Sequence, residues 1–328
     1  MKTVFLCNNI ENINRVFDER VRQRLDVSSV ILTEDNISDY IQQIKNTEYI
    51  FSTWGMPSLS ADKIKEYFPS LKCIFYAAGT VCYFAKPFLE NGVRVFSAAY
   101  ANGIPVAEYT AAQIILGLKG YFQAEKFYKS DISLSKSIVS NAQGNYYANV
   151  GLIGLGVIGS MVAERLKAFD VNVFAYDPFA STEKAERLGV KLTTLDYIFE
   201  NCDVISNHLA NKPELNDILN YDLFSLMKEN AVFINTGRGA QVNEIDLARA
   251  LKESPFRTAA LDVLKDEDKP QNSPLFECKN AFITPHIAGS IGYEVTRMAD
   301  FIIDEYERYL KGEQCSGEVT LEKLKYMA

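Results

Sequence analysis

The chain has 328 residues, 48% hydrophobic and 23% charged, with 34 Lys plus Arg against 42 Asp plus Glu for a net charge of −8. Such a length predicts two domains or one large α/β unit, and the apolar content suffices for a sizeable core. The acidic balance argues against a general nucleic-acid or anionic-membrane surface, and two histidines with six cysteines that form no Cys-x-x-Cys pair are too few for a Cys/His zinc site; counts alone leave carboxylate Mg²⁺ sites open, and no metal is expected.

The N-terminus enters a strand pattern directly, without the apolar run and small-residue cleavage site of a signal peptide, and no stretch reaches ~18 uninterrupted apolar residues. Together with cysteines that sit mostly in apolar runs, as buried free thiols do, this predicts a cytoplasmic protein. Strands are expected at Thr3–Cys7, Ser29–Leu32, Tyr49–Phe51, Leu71–Tyr76 and Val93–Phe96, separated by helix-like stretches at Ile37–Lys45 and Ala61–Tyr67. Ile104–Tyr128 then reads as one long helix with Pro105 near its start, apolar on more than one face, as an interface helix would be. A polar, Ser-rich stretch from Ser130 to Asn145 follows. A second series begins at Val150–Ile153 and continues with Val171–Ala175, Val204–Ser206, Ala231–Ile234, Thr258–Leu261 and Ala281–Ile283, six strands that match a dinucleotide-binding Rossmann sheet. A helix over Ile291–Leu310 closes at Gly312.

Between the first two strands of this second series lie Gly154, Gly156 and Gly159, in G-x-G-x-x-G spacing, opening a helix expected at Ser160–Phe169. The pattern suits a tight turn, close approach of backbone to a pyrophosphate and close packing of helix on strand, with the orphan N–H groups of the helix facing the phosphates. The same glycines could also make a plain βα turn. Asp177, 23 positions beyond Gly154, ends the next strand, where a carboxylate accepts from both adenosine ribose hydroxyls and repels a 2′-phosphate; NAD is therefore expected rather than NADP. Lys184 and Arg187 read as solvated helix residues.

Three polar residues follow the later strands. Arg238 lies in Asn-Thr-Gly-Arg-Gly, Glu267 in the acidic run 266–268, and His286 in Thr-Pro-His-Ile-Ala-Gly. Singly they read as a surface turn, solvated charge and a core histidine. Jointly they supply what a 2-keto acid needs: a guanidinium for a planar carboxylate, an acid for the carbonyl oxygen, and a carboxylate to orient that acid.

From about Ala98 to Gly289 the order of these motifs resembles the D-isomer-specific 2-hydroxyacid dehydrogenases. The resemblance implies a Rossmann NAD-binding domain over residues 99–290. It also implies a smaller flavodoxin-like α/β substrate or lid domain formed by both chain ends, 1–98 and 291–328. Arg238 would bind the substrate carboxylate and carbonyl, Glu267 would pair with His286, and His286 would be the acid/base. On the cofactor side would lie Gly154, Gly156, Val157, Ile158, Gly159, Asp177, Thr236, Gly237, Arg238, His286 and Gly289. Asp262 would hold the nicotinamide carboxamide, His208 would mark the loop beside the nicotinamide ribose, and Val106 would pack beside the cofactor. Backbone N–H groups of Ala78, Gly79 and Thr80 would receive the substrate carboxylate.

The implied reaction is reversible NADH-dependent reduction of a 2-keto acid to a D-2-hydroxy acid, failing as pH rises through the His286 titration. The alternative is an NADH-sensing, dimerising corepressor-like binding protein. A homodimer is expected either way, from the long apolar helix and from the resemblance. The chain departs from the family where Asp268 and Lys269 stand between Glu267 and Pro270, so Glu267 is chosen by its 29-residue spacing from Arg238 and 19-residue spacing from His286. Tyr76 stands where members acting on 3-phosphoglycerate carry arginine, which disfavours a phosphorylated substrate. Glu267 disfavours formate dehydrogenation, where glutamine partners the histidine. Trp54, Met56, Tyr76, Tyr83, Phe84 and Tyr100 could line an apolar side-chain pocket or belong to the core of the smaller sheet.

Overall fold

The computed structural model describes residues 1–27 and 29–324, and the chain divides into two units, Met1–Gly103 with Ser290–Ala328, and Ile104–Gly289. The end of the expected 291–328 segment, residues 325–328, lies outside the described residues.

In the first unit β1 (Thr3–Leu6), β2 (Ile31–Leu32), β3 (Tyr49–Ser52), β4 (Cys73–Tyr76) and β5 (Arg94–Ser97) form a parallel sheet in the order β2-β1-β3-β4-β5. β1, β3 and β4 are buried along their whole length, as strands covered on both faces must be. Phe51 stacks on Phe75 at 5.3 Å and Phe75 on Phe96 at 4.9 Å. Tyr306 meets the rings of Phe51 and Phe75, each at 5.2 Å, from the helix Glu294–Lys311. That helix buries Val295, Met298, Ala299, Ile302 and Ile303 at 3–4 residue spacing and stops at Gly312, whose φ of 71° only glycine adopts freely.

The second unit carries β6 (Tyr146–Ile153), β7 (Asp170–Tyr176), β8 (Val190–Leu192), β9 (Val204–Asn207), β10 (Val232–Asn235), β11 (Thr258–Leu261) and β12 (Ala281–Ile283), all parallel, in the order β12-β11-β10-β9-β6-β7-β8. This is the Rossmann order with a further strand at one edge. Seven strands stand where six were expected, because β8 is only three residues long with Lys191 at its centre and carries no readable alternation. The last strand, β13 (Glu318–Val319), returns to the first sheet antiparallel to β5.

The expected single helix Ile104–Tyr128 is two. The first starts earlier, at Ala99, where the Ser97 hydroxyl accepts the Ala99 N–H at 3.1 Å, and it ends at Leu118. Pro105 therefore sits inside the helix and not at its start. Gly120, at φ 65°, then reverses the chain into the helix Tyr121–Tyr128. The Ser-rich stretch is also helical over Ile132–Ser140, because Asp131 accepts the Leu134 N–H at 2.9 Å and the Ser135 hydroxyl reaches the Ala124 carbonyl at 2.8 Å. The closing helix begins at Glu294 and not Ile291, and the helix after the glycine loop spans Val157–Leu166 and not Ser160–Phe169. Of the proposed pocket residues, Met56, Tyr76 and Phe84 are buried core, whereas Trp54 is half-buried and Tyr83 and Tyr100 are exposed. Four thiols are buried, but Cys82 is exposed and Cys315 is half-buried.

Candidate active site

All seven strands of the second sheet point the same way, so their following loops share one edge. Across that edge, in strand order, come His286 after β12, Asp262 after β11, Arg238 after β10, His208 after β9, the glycine loop after β6 and Asp177 after β7. The register aligns Ile153, Asn207, Asn235 and Leu261 as neighbouring strand ends. The order reverses between β6 and β9, the position at which open α/β sheets bind dinucleotides.

Each glycine of the loop answers a different demand. Gly154 has φ 95°, and a Cβ there would lie 2.8 Å from the His208 carbonyl oxygen. At Gly159 a Cβ would come within 2.0 Å of the Gly154 oxygen, so the helix could not pack. A Cβ on exposed Gly156 would meet nothing within 4 Å, leaving the outer face of the loop open where the helix Val157–Leu166 begins. The cradle therefore fits a pyrophosphate on chemical grounds: open backbone and N-terminal N–H groups on an otherwise packed turn.

Asp177 accepts the Leu155 N–H at 2.7 Å through Oδ2 and the Phe179 N–H at 2.8 Å through Oδ1, so it is half-buried and fixed. Lys184, expected as a solvated helix residue, instead donates from Nζ to the Leu155 carbonyl. Both backbone groups of Leu155 are thus held from β7 and the helix that follows it.

His286 donates from Nδ1 to Glu267 Oε2 at 2.9 Å, and both side chains are about half exposed. Glu267, chosen by spacing, thus contacts His286 with the altered segment following it. Asp262, 2% exposed, accepts from the Thr284 hydroxyl at 2.6 Å and from the Ile287 and Ala288 N–H groups at 2.8 Å each. The Tyr109 hydroxyl lies 3.1 Å from that of Thr284. Asp262 therefore shapes the turn that carries His286, and Oδ2, with a single donor, is the oxygen with spare capacity.

Arg238 is half-buried in extended backbone, and its Nη1 donates to the Gly237 carbonyl at 2.8 Å. A network not foreseen from the sequence holds this loop. Asn235 Oδ1 accepts from Gly237 N–H at 3.0 Å and from Asn207 Nδ2 at 3.1 Å; Asn207 also donates to Gln241 Oε1 at 2.7 Å. Gln241 in turn donates to the Leu209 and Ala210 carbonyls. All three amides are at most 1% exposed, and buried amides persist only when paired. Asn235 was visible in its motif, but nothing in sequence spacing pairs it with Asn207 and Gln241. Thr236 is buried, with its hydroxyl 2.9 Å from that of Thr110. His208 Nε2 lies 3.0 Å from the Ser206 hydroxyl, and burial pushes its pKa down to about 4, so the ring is neutral at pH 7. Gly289 is half-buried and Val106 buried.

In the first unit, Ala78, Gly79 and Thr80 follow β4. The Ser97 hydroxyl donates to the Ala78 and Gly79 carbonyls at 3.1 and 2.5 Å, fixing the turn.

The fold and the glycine cradle define the second unit as a dinucleotide-binding Rossmann domain. Residues 112–288 match the family model described as D-isomer specific 2-hydroxyacid dehydrogenase, NAD binding domain. The chain belongs to that family. It is 33% identical over 233 residues to a D-3-phosphoglycerate dehydrogenase of Archaeoglobus fulgidus, covering 71% of this chain and 44% of the relative. The D-3-phosphoglycerate dehydrogenase of Methanocaldococcus jannaschii is 34% identical over 238 residues, with the same coverage. The chain thus spans less than half the length of these relatives. Among solved structures, the NAD-complexed D-isomer specific 2-hydroxyacid dehydrogenase of Lactobacillus delbrueckii ssp. bulgaricus superposes with a TM-score of 0.75 at 22% identity, over 97% of this chain and 100% of that one. The D-lactate dehydrogenase of Lactobacillus jensenii with NAD+ gives a TM-score of 0.75 at 20% identity, over 97% and 99%. The architecture is therefore a Rossmann domain plus a smaller α/β domain, and NAD is the cofactor of the family domain.

Proposed function

We propose that the protein interconverts a 2-keto acid and a D-2-hydroxy acid with NAD. The observation that carries this reading is the His286–Glu267 hydrogen bond, which orients an imidazole at the same sheet edge as Arg238 and the glycine cradle. The glycine cradle and Asp177 would hold NADH, which would supply the hydride. Arg238 holds the keto-acid carboxylate in a two-pronged grip and faces the carbonyl oxygen. His286, charged and steadied from Nδ1 by Glu267, presents Nε2 to that oxygen and gives up its proton as negative charge builds there. Asp262 keeps the 284–288 turn in place and has Oδ2 available for the carboxamide. Val157, Ile158, Thr236, Gly237, Gly289, His208 and Val106 complete the cofactor side.

In the first unit the rings of Trp54, Tyr83 and Tyr100 stay at least partly accessible, which favours bulky or branched apolar keto acids over phosphorylated ones. A homodimer is part of the same reading, supported by the exposed apolar side chains of residues 121–147. NADH oxidation against glyoxylate, pyruvate, hydroxypyruvate and branched and aromatic 2-keto acids, run in parallel with NADPH, tests it. Turnover should be fastest with a bulky keto acid and NADH. Tight NADH binding without turnover across the whole panel would overturn the reading in favour of an NADH sensor.

A further inference from the structure

We propose that Glu244 is a positioning residue that sets the Glu267–His286 pair by clamping the loop that carries Glu267, an inference that rests on the acid/base reading of His286. Glu267 is half exposed, so its place is inherited from the loop Lys265–Ser273 and not from packing of its own side chain. Glu244, by contrast, is 8% exposed, and both its oxygens are engaged at the two feet of that loop. Oε1 accepts the Lys265 N–H at 2.7 Å and Oε2 accepts the Ser273 hydroxyl at 2.6 Å. Within the loop Asp266 Oδ1 accepts the N–H groups of Asp268 and Lys269 at 3.1 and 3.0 Å, turning the chain around Glu267.

The clamp is tied to the Arg238 turn as well. Glu244 opens the helix Glu244–Glu253, capped by Asn243, shortly after that turn. Gly239, directly after Arg238, presses so closely on the start of the loop that a Cβ there would lie 2.0 Å from the Leu264 carbonyl carbon. Burying a carboxylate is costly, and an apolar residue would hold a helix start against a loop at less expense. What the carboxylate adds is two directed hydrogen bonds that fix both loop ends, and misplacing a catalytic partner by ~1 Å costs about a hundredfold in rate.

The test uses the full chain labelled with 15N-histidine, in buffer made alkaline until the ring-nitrogen shifts no longer change with pH. Ring-nitrogen shifts distinguish the two tautomers, and the chain has only two histidines. In the wild type His286 should be the Nδ1–H tautomer held by Glu267. In Glu244→Ala it should move toward the Nε2–H form that free imidazole prefers, with kcat down about tenfold or more, a smaller change in keto-acid KM and unchanged NADH affinity. Glu244→Gln, which keeps an acceptor for Lys265 and a partner for Ser273, should restore both readouts. Ser273→Ala, which frees one foot only, should fall between, and it carries the test if Glu244→Ala does not fold. A wild-type tautomer in Glu244→Ala or, failing that variant, in Ser273→Ala overturns the clamp, as does Glu244→Gln impaired as deeply as Glu244→Ala. The tautomer readout is independent of turnover, so a protein inactive on every keto acid would sink the proposed reaction while leaving the clamp to be decided.

Discussion

His286 has a φ of 53°, one of three non-glycine residues with positive φ among the described residues. Left-handed backbone costs a residue with a Cβ roughly 1–2 kcal/mol. Here it is held by the His286 N–H, which reaches the Asp262 and Thr284 carbonyls at 3.0 Å each. The imidazole is thus presented from a conformation that stability alone would give to glycine. His286→Gly should raise the denaturant midpoint by the equivalent of about 1 kcal/mol while abolishing turnover, and His286→Ala should lose turnover with no such gain and unchanged NADH binding. Arg238→Ala should lose keto-acid binding and turnover together. Near wild-type rates in both His286→Ala and Arg238→Ala would remove the proposed chemistry.

At the level of elements, the helices Tyr121–Tyr128 and Ile132–Ser140 and the start of β6 leave Tyr121, Tyr128, Ile132, Val139, Tyr146 and Tyr147 exposed, Tyr147 at 69%. Exposed apolar side chains recurring along one stretch of chain suit a two-fold interface. Light scattering should give twice the 36.9 kDa chain mass, and Ile132→Asp with Tyr146→Lys should halve it; a monomeric wild type would dismiss the dimer. The same stretch shows why sequence reading stopped where it did. Continuous β-branched and aromatic runs marked nearly every buried strand, since parallel strands covered on both faces need no alternation. The two helices were hidden because their boundaries depend on Gly120 turning left-handed and on Asp131 capping Leu134, contacts decided one residue at a time. The strand-end positions of Arg238 and His286 and the contact of His286 with Glu267 follow the spacing in the sequence. The Asn207–Asn235–Gln241 network and the Glu244 clamp join residues from separate elements that share no motif, and only the folded chain brings them together.

Across the molecule, pH acts through half-buried His208, whose Nδ1 is closed off from solvent. His208 titrates at about 4 when folded and near 6.5 when exposed. As pH falls below 6.5 the unfolded chain takes up a proton that the folded one refuses, so stability declines, by up to about 3 kcal/mol once pH reaches 4. Glu48, Glu253 and Glu318, whose carboxyls are held below their usual value by Lys72, Tyr221 and Arg94, begin to withdraw their contribution only below about 4.5. Melting temperature should therefore slope downward from pH 6.5 to 4.5 in the wild type and be flatter in His208→Gln; equal slopes would show that His208 is not the cause.

The division of the chain has a consequence for synthesis. Residues 104–289 are contiguous, whereas the other unit takes Tyr306, Tyr309 and β13 from the end of the chain. On the ribosome the ladder of Phe51, Phe75 and Phe96 therefore waits for its aromatic cover until the helix Glu294–Lys311 emerges, although the Rossmann sheet has by then all its strands. The first sheet begun is the last one finished, and the interval between is when a nascent chain most needs protection from its neighbours.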